Sequence, residues 1–150
     1  MGKPDLVALI DCLREYEECY LSKGSARLQY SEPFDLEEGF RRNSYYPYAS
    51  DKKVYAILDS EGVVLYVGKA SHGGTLGARF ASYFSYNKDS ASGAAFQPRS
   101  INWTRPPCSI VAVKVVNAWE ASSLEEYLIA KLAPEDNTVG KQPAPADPGT

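Results

Sequence analysis

A chain of 150 residues, 44% apolar and 23% charged, can bury a core and suits one domain, and no apolar run reaches the roughly 18 residues of a membrane helix. Acids inside and just after the short N-terminal apolar stretch argue against a signal peptide, and Cys12, Cys19 and Cys108 lack metal-ligand spacing, so the chain reads as cytoplasmic with no membrane partner; export without a signal peptide stays open. The net charge of −3 hides a segregation: −4 over residues 1–51, +5 over 52–118 and −4 over 119–150, so the middle segment is the one suited to a polyanion.

Residues 4–22 read as a helix. Pro4 suits its first turn, Leu6, Leu9, Ile10, Leu13, Tyr16, Tyr20 and Leu21 recur at helical spacing, and Gly24 stops it. Cys12 and Cys19 lie two turns apart on it, too far for a disulfide. The acidic run Glu15, Glu17, Glu18 suits a solvated face, and the helix reads as a packing or partner element. Residues 25–52 are mixed, with a short helix start in Ser31–Glu38. Arg41-Arg42 and Tyr45-Tyr46-Pro47-Tyr48 follow, an aromatic-basic cluster that either packs as a loop or stacks on bases.

Val54–Leu58 and Val63–Val67 have the β-branched and aromatic composition of strands, and Asp59-Ser60-Glu61-Gly62 between them has turn chemistry. A loop of two or four residues pairs Leu58 with Val63, Ile57 with Val64 and Tyr55 with Tyr66, which sets two phenols side by side on one sheet face; a three-residue loop with a bulge would break this pairing. Taken alone, that pair reads first as a sheet-stabilising contact. Gly68 then ends the second strand, and Lys69 stands past its end beside the tyrosines. A helix starting near Thr75 carries Leu76, Phe80, Tyr83 and Phe84 on one face and Arg79 at its edge. Arginine, lysine and two phenols form a small pocket for an anion. His72, in a glycine-rich loop, reads as a polar loop residue.

The stretch from Ser85 through Pro107 has loop composition, and Arg99, Trp103 and Arg105 in it could grip a phosphate backbone or simply pack. Ile110–Val116 is a third strand. The last helix runs from Ala118 to Leu132, with Ala121, Leu124, Leu128, Ile129 and Leu132 on one apolar face. Glu125 falls roughly 40° from the centre of that face and Glu126 roughly 135° away. A carboxylate so placed needs a cation, either a partner such as Arg79 or a metal. Gln142 to Thr150, with three prolines, reads as a tail.

These residues, taken together, resemble the GIY-YIG nuclease family, and most of all its UvrC-like N-terminal nuclease domains. Val54-Tyr55 stands at the end of the GIY motif and Tyr66-Val67-Gly68 for YIG, followed by Lys69-Ala70. Arg79 matches the family arginine and Tyr83 a tyrosine one turn later. Glu125 and Pro134-Glu135-Asp136-Asn137 supply the later glutamate and Pro-x-x-Asn. The resemblance covers roughly residues 53–138. Lys53 replaces the first glycine of GIY, the loop from Ser71 to Thr75 is longer than in UvrC-like domains, and so is the segment before the third strand.

The resemblance implies an α+β fold: a small antiparallel three-stranded sheet flanked by helices, with an extra N-terminal helix. It divides the chain into an extension (1–52), a nuclease core (53–140) and a tail (141–150). It implies a metal-dependent endonuclease acting on nucleic acid, with double-stranded DNA the expected substrate and Mg²⁺ the expected ion, Mn²⁺ its substitute. Glu125 would hold the metal and Arg79 the phosphate. Tyr55, helped by a cation from Lys69, would take the proton of the attacking water, while Tyr66 and Tyr83 position water and phosphate. Lys69, Arg79, Arg99 and Arg105 would contact nucleic acid, and Gly68 and Asn137 support the site. The short extension before the core leans toward a restriction-like or toxin-like role. Two other readings stay open: a catalytically silent nucleic-acid-binding module, and a protein-interaction module working through residues 1–52. Monomer or homodimer is left undecided.

Overall fold

The computed structural model describes residues 4–21, 27–41, 47–48, 51–70, 84–86, 96–98 and 103–137. The expected helix from Thr75 with Arg79 and Tyr83, the loop holding His72, Arg42 to Tyr46, Arg99 and the tail lie outside them. The fold is α+β, an antiparallel sheet flanked by helices.

Helix α1 (Leu6–Cys19) starts where Asp5 caps it: the Asp5 carboxylate accepts from the Ala8 N–H at 3.0 Å. Pro4 thus stands before the cap rather than in the first turn. Strands β1 (Gln29–Tyr30) and β2 (Phe34–Asp35) lead into α2 (Leu36–Arg41), whose Glu38 N–H is capped by Asp35. The long strands are β3 (Lys53–Leu58), β4 (Val64–Ala70) and β7 (Ser109–Lys114), and α3 (Ala118–Leu132) follows. Between them β5 (Phe84–Tyr86) pairs with β6 (Phe96–Pro98) in a separate two-stranded sheet. Phe84, expected in a helix, therefore stands in a strand.

The main sheet has five strands rather than three. Its order is β1-β7-β3-β4, with β2 also on β7. β1 and β2 run along the same strand as two halves of one interrupted edge, pairing Tyr30 with Val113 and Phe34 with Ile110. Pro33 has no N–H to give, and at the break the Ser31 hydroxyl accepts the Ala112 N–H at 3.0 Å.

The two faces of the sheet bury separate clusters. α1 and α3 cover one, where Leu9, Leu13, Val54, Val67, Val113, Leu124 and Leu128 pack. On the other, Tyr55, Ile57, Ile110 and Ala112 pack with Leu36. Lying between, β3 is buried along its whole length, which is why its sequence shows no alternation. The N-terminal helix is built into the first cluster, and Tyr16 donates to the Ser123 hydroxyl of α3 at 3.1 Å.

The β3–β4 hairpin corrects the expected pairing. Its loop has three residues, closed by the Asp59 N–H donating to the Val63 carbonyl at 2.9 Å, with Gly62 at φ +82°. The Asp59 carboxylate accepts from the N–H groups of Glu61 and Val63, which fixes the turn. A bulge then shifts the register between Ile57 and Leu58. Each departure moves the pairing by one residue. Tyr66 therefore faces Ile57, not Tyr55, and Tyr55 faces Gly68. Because the total shift is even, both phenols stay on the expected face.

Candidate functional site

On that face Tyr55 and Tyr66 stand as diagonal neighbours, their ring centroids 6.5 Å apart. Tyr55 is fully buried between two small residues, Gly68 across on β4 and Ala112 across on β7. Its ring lies over Gly68. A Cβ built there would meet the phenol oxygen at 2.5 Å and Cζ at 2.6 Å, so glycine is what admits the ring. Tyr66 is half-buried, and Trp103 meets it edge-on at 6.2 Å.

The strand carrying Tyr66 and Gly68 lies at the sheet edge, and the segment after α3 holds it there. Ala133 ends the helix in the left-handed region (φ 45°), its N–H donating to Ile129, and Pro134 prevents continuation. The chain then turns back along β4. Asp136 N–H donates to the Leu65 carbonyl at 2.9 Å. The buried Asn137 amide accepts from the Val67 N–H at 2.8 Å and donates to the Val67 carbonyl at 3.0 Å. An asparagine side chain thus replaces a neighbouring strand. Asp136 also accepts from the Thr104 N–H and hydroxyl, which places Trp103 against Tyr66.

Glu125 comes from α3, on the opposite face. The apolar stripe of α3 is buried as its spacing predicts, Glu125 at its border is half-buried, and Glu126 is exposed. One turn before Glu125, Ser122 accepts from Lys69 Nζ at 2.7 Å. This corrects the expected place of Lys69. β4 does not stop at Gly68; it runs to Ala70, and Lys69 pairs with Val54. Alternation then turns Lys69 toward α3 and away from the two phenols.

On the phenol face Lys114 of β7 stands opposite Lys53, which is two residues from Tyr55 on β3 and 0% exposed. Burial lowers the Lys53 pKa below the usual lysine value, against an opposing pull from Asp51. Sequence spacing alone missed it, although a lysine at even spacing from Tyr55 in a buried strand was the available signal.

Among the described residues no group of three or more His, Cys, Asp or Glu side chains could hold a metal ion. Glu125, a half-buried carboxylate, could supply an oxygen ligand to a divalent ion. Arg105 is already engaged: its guanidinium meets the buried Asp59 carboxylate at 3.0 Å and Glu135 at 3.5 Å. It ties the hairpin turn to the segment after α3, four residues along β3 from Tyr55, or roughly 13 Å by strand rise. Arg79, Tyr83 and Arg99 lie outside the described residues.

Comparison with known proteins bears on this arrangement directly. The family profile of the UvrC-like GIY-YIG domain matches residues 52–138. The UvrABC system protein C of Chlamydia muridarum (strain MoPn / Nigg) is 38% identical over 93 residues, which is 62% of this chain and 14% of that protein. The chain thus spans about a seventh of that relative's length, and no solved structure matches it. With the motif residues in order along one hairpin and one helix, the chain belongs to the UvrC-like GIY-YIG domain family.

Proposed function

We propose that the protein is a metal-dependent endonuclease that hydrolyses phosphodiester bonds, with double-stranded DNA as substrate. The observation that carries this reading is the meeting of Tyr55 and Tyr66 on one sheet face across Gly68, at the end of a strand whose other side turns Lys69 toward the helix of Glu125. The scissile phosphate is placed at the C-terminal end of β4, between these two sets.

Tyr55, in its phenolate form, takes the proton from the attacking water: the water O–H bond breaks, the Tyr55 O–H bond forms, and the hydroxide oxygen bonds to phosphorus as the bond to the 3′ oxygen breaks. Tyr66 orients the water. Arg79 clamps the phosphate and the charge that develops on it, with Tyr83 beside it. Lys69 meets the phosphate from the α3 side. Glu125 would hold the Mg²⁺ ion, which when bound supplies charge neutralisation at the leaving oxygen.

Nicking of supercoiled plasmid in Mg²⁺ tests the proposal. Arg79→Ala and Glu125→Ala should each abolish nicking while leaving the circular dichroism spectrum unchanged. A wild-type protein that shifts DNA in a gel but cuts nothing, with Mg²⁺ or Mn²⁺, would make it a silent binding module.

A further inference from the structure

Glu125, Ser122 and Trp119 form one row on α3, each three residues from the next. Ser122 lies about 60° around the helix from either neighbour, and each step takes about 4.5 Å of rise. The middle of the row holds a cation, because Lys69 Nζ donates to the Ser122 hydroxyl at 2.7 Å. The last member, Trp119, stands in the first turn of the helix and is 71% exposed. Val116, just before the helix, is 55% exposed and adds an apolar group at the same end. Neither core packing nor helix propensity asks for a tryptophan at such a place. We infer that Trp119 is a stacking platform for an unpaired base of the nucleic acid whose phosphate meets Lys69. The inference rests on the nuclease reading for that phosphate and deepens it to a substrate class: duplex DNA carrying unpaired nucleotides beside the cut.

Charge around the row decides the kind of partner. At this end of the sheet β3 begins and β4 and β7 stop, which gathers their lysines. Lys52 is exposed, and its carbonyl accepts the Val115 N–H at 3.0 Å, which sets it beside the segment leading into α3. Lys114 is partly exposed and pairs with Asp51 at 3.8 Å. Of the acids on α3, Glu120 accepts from the Asn117 side-chain amide at 2.6 Å. Glu126 is two turns beyond Trp119, about 10.5 Å along the axis, and bounds the strip. An exposed indole set among lysines suits a polyanion with flat apolar faces. Within a paired duplex each base has both faces covered by its neighbours in the stack. The indole can therefore reach a base face only where a nucleotide is unpaired.

Binding is measured in EDTA, so that nothing is cut, on two probes of equal length: a fully paired duplex, and a duplex with a central run of unpaired thymidines. Trp119→Ala should weaken binding of the second probe by about five- to a hundredfold, and Trp119→Phe, which keeps a ring, should restore most of it. The slope of log affinity against log salt should not change, since an indole releases no counterion. The fully paired probe should bind all three proteins alike. Indole emission, read as the difference between wild type and Trp119→Phe, should be quenched by the second probe and not by the first. Both variants should melt as wild type does, because the side chain is exposed. Equal binding of the second probe by wild type and Trp119→Ala overturns the inference, and so does an equal loss on both probes. A wild-type dimer that Trp119→Ala turns into a monomer also overturns it, making the indole a contact between copies of the chain. A wild-type protein that grips the second probe through Trp119 yet cuts nothing in Mg²⁺ overturns the nuclease reading and leaves the platform standing.

Discussion

The phenol of Tyr55 lies over Gly68, close enough that one methyl group on Gly68 would overlap both its oxygen and its Cζ. The motif tyrosine and the motif glycine are therefore one contact seen from two strands. Gly68→Ala must displace the ring, which is buried and flanked by Ala112, so it should cost about 1–3 kcal/mol in urea denaturation. Tyr55→Phe should not relieve this, because Cζ remains. Tyr55→Ala should, since the methyl group then enters vacated space. A double-mutant cycle between Gly68→Ala and Tyr55→Ala is expected to show coupling of about 1–3 kcal/mol. Additive effects would mean that the ring does not rest on the glycine.

Asn137 carries a stability prediction of a different kind. Its amide satisfies both the N–H and the C=O of Val67 in a buried setting. Asn137→Ala strands two backbone groups, at about 1–3 kcal/mol for each group that water cannot reach. Asn137→Asp keeps the acceptor but sets a carboxylate against the Val67 carbonyl. That contact raises the folded-state pKa of the introduced acid above its unfolded value. The loss of stability should be full above the folded pKa and shrink as pH falls through it. Urea midpoints of Asn137→Asp relative to wild type at about pH 7 and about pH 4.5 check the sign.

How far the site was legible in the sequence depends on which rule carried it. The burial of Ala121, Leu124, Leu128, Ile129 and Leu132 follows from helical spacing, and so does the half-buried place of Glu125. Tyr55 and Tyr66 keep the expected shared face only because the three-residue loop and the bulge each shift the pairing by one residue and the two shifts restore the parity. Their cross-strand partners were not legible. Asp59 closes a three-residue loop with Gly62 in the left-handed region, and a bulge follows, and composition does not distinguish these from a four-residue turn. Lys69 was misplaced because Gly68 read as a strand end, although the strand continues beneath the Tyr55 ring. β1 and β2 escaped notice because two residues on either side of a proline carry no period.

Arg105 separates a structural from a binding reading. Its guanidinium pairs with Asp59, whose side chain is 3% exposed and already engaged by two backbone N–H groups. Arg105→Ala should lower stability by about 1–3 kcal/mol, less than a fully buried pair because Arg105 itself is partly exposed. It should leave the salt dependence of DNA binding unchanged. A fall of about one in the slope of log affinity against log salt would instead make it a phosphate contact.

Lys53 allows the sign of a pH dependence to be fixed in advance. Its folded-state pKa lies below the ordinary lysine value of 10.5, because burial outweighs the attraction of Asp51. The unfolded chain therefore binds more protons than the folded one over the interval between the two values, and stability rises with pH there. Below the folded pKa the lysine is charged and buried, and its cost is full; above 10.5 the cost is gone. Lys53→Met removes the cost at every pH. It should make the protein more stable than wild type by about 1–2 kcal/mol below the folded pKa, with the difference shrinking as pH rises through it. A variant less stable than wild type at neutral pH, with a difference that does not vary with pH, would show that the ammonium is well compensated where it lies.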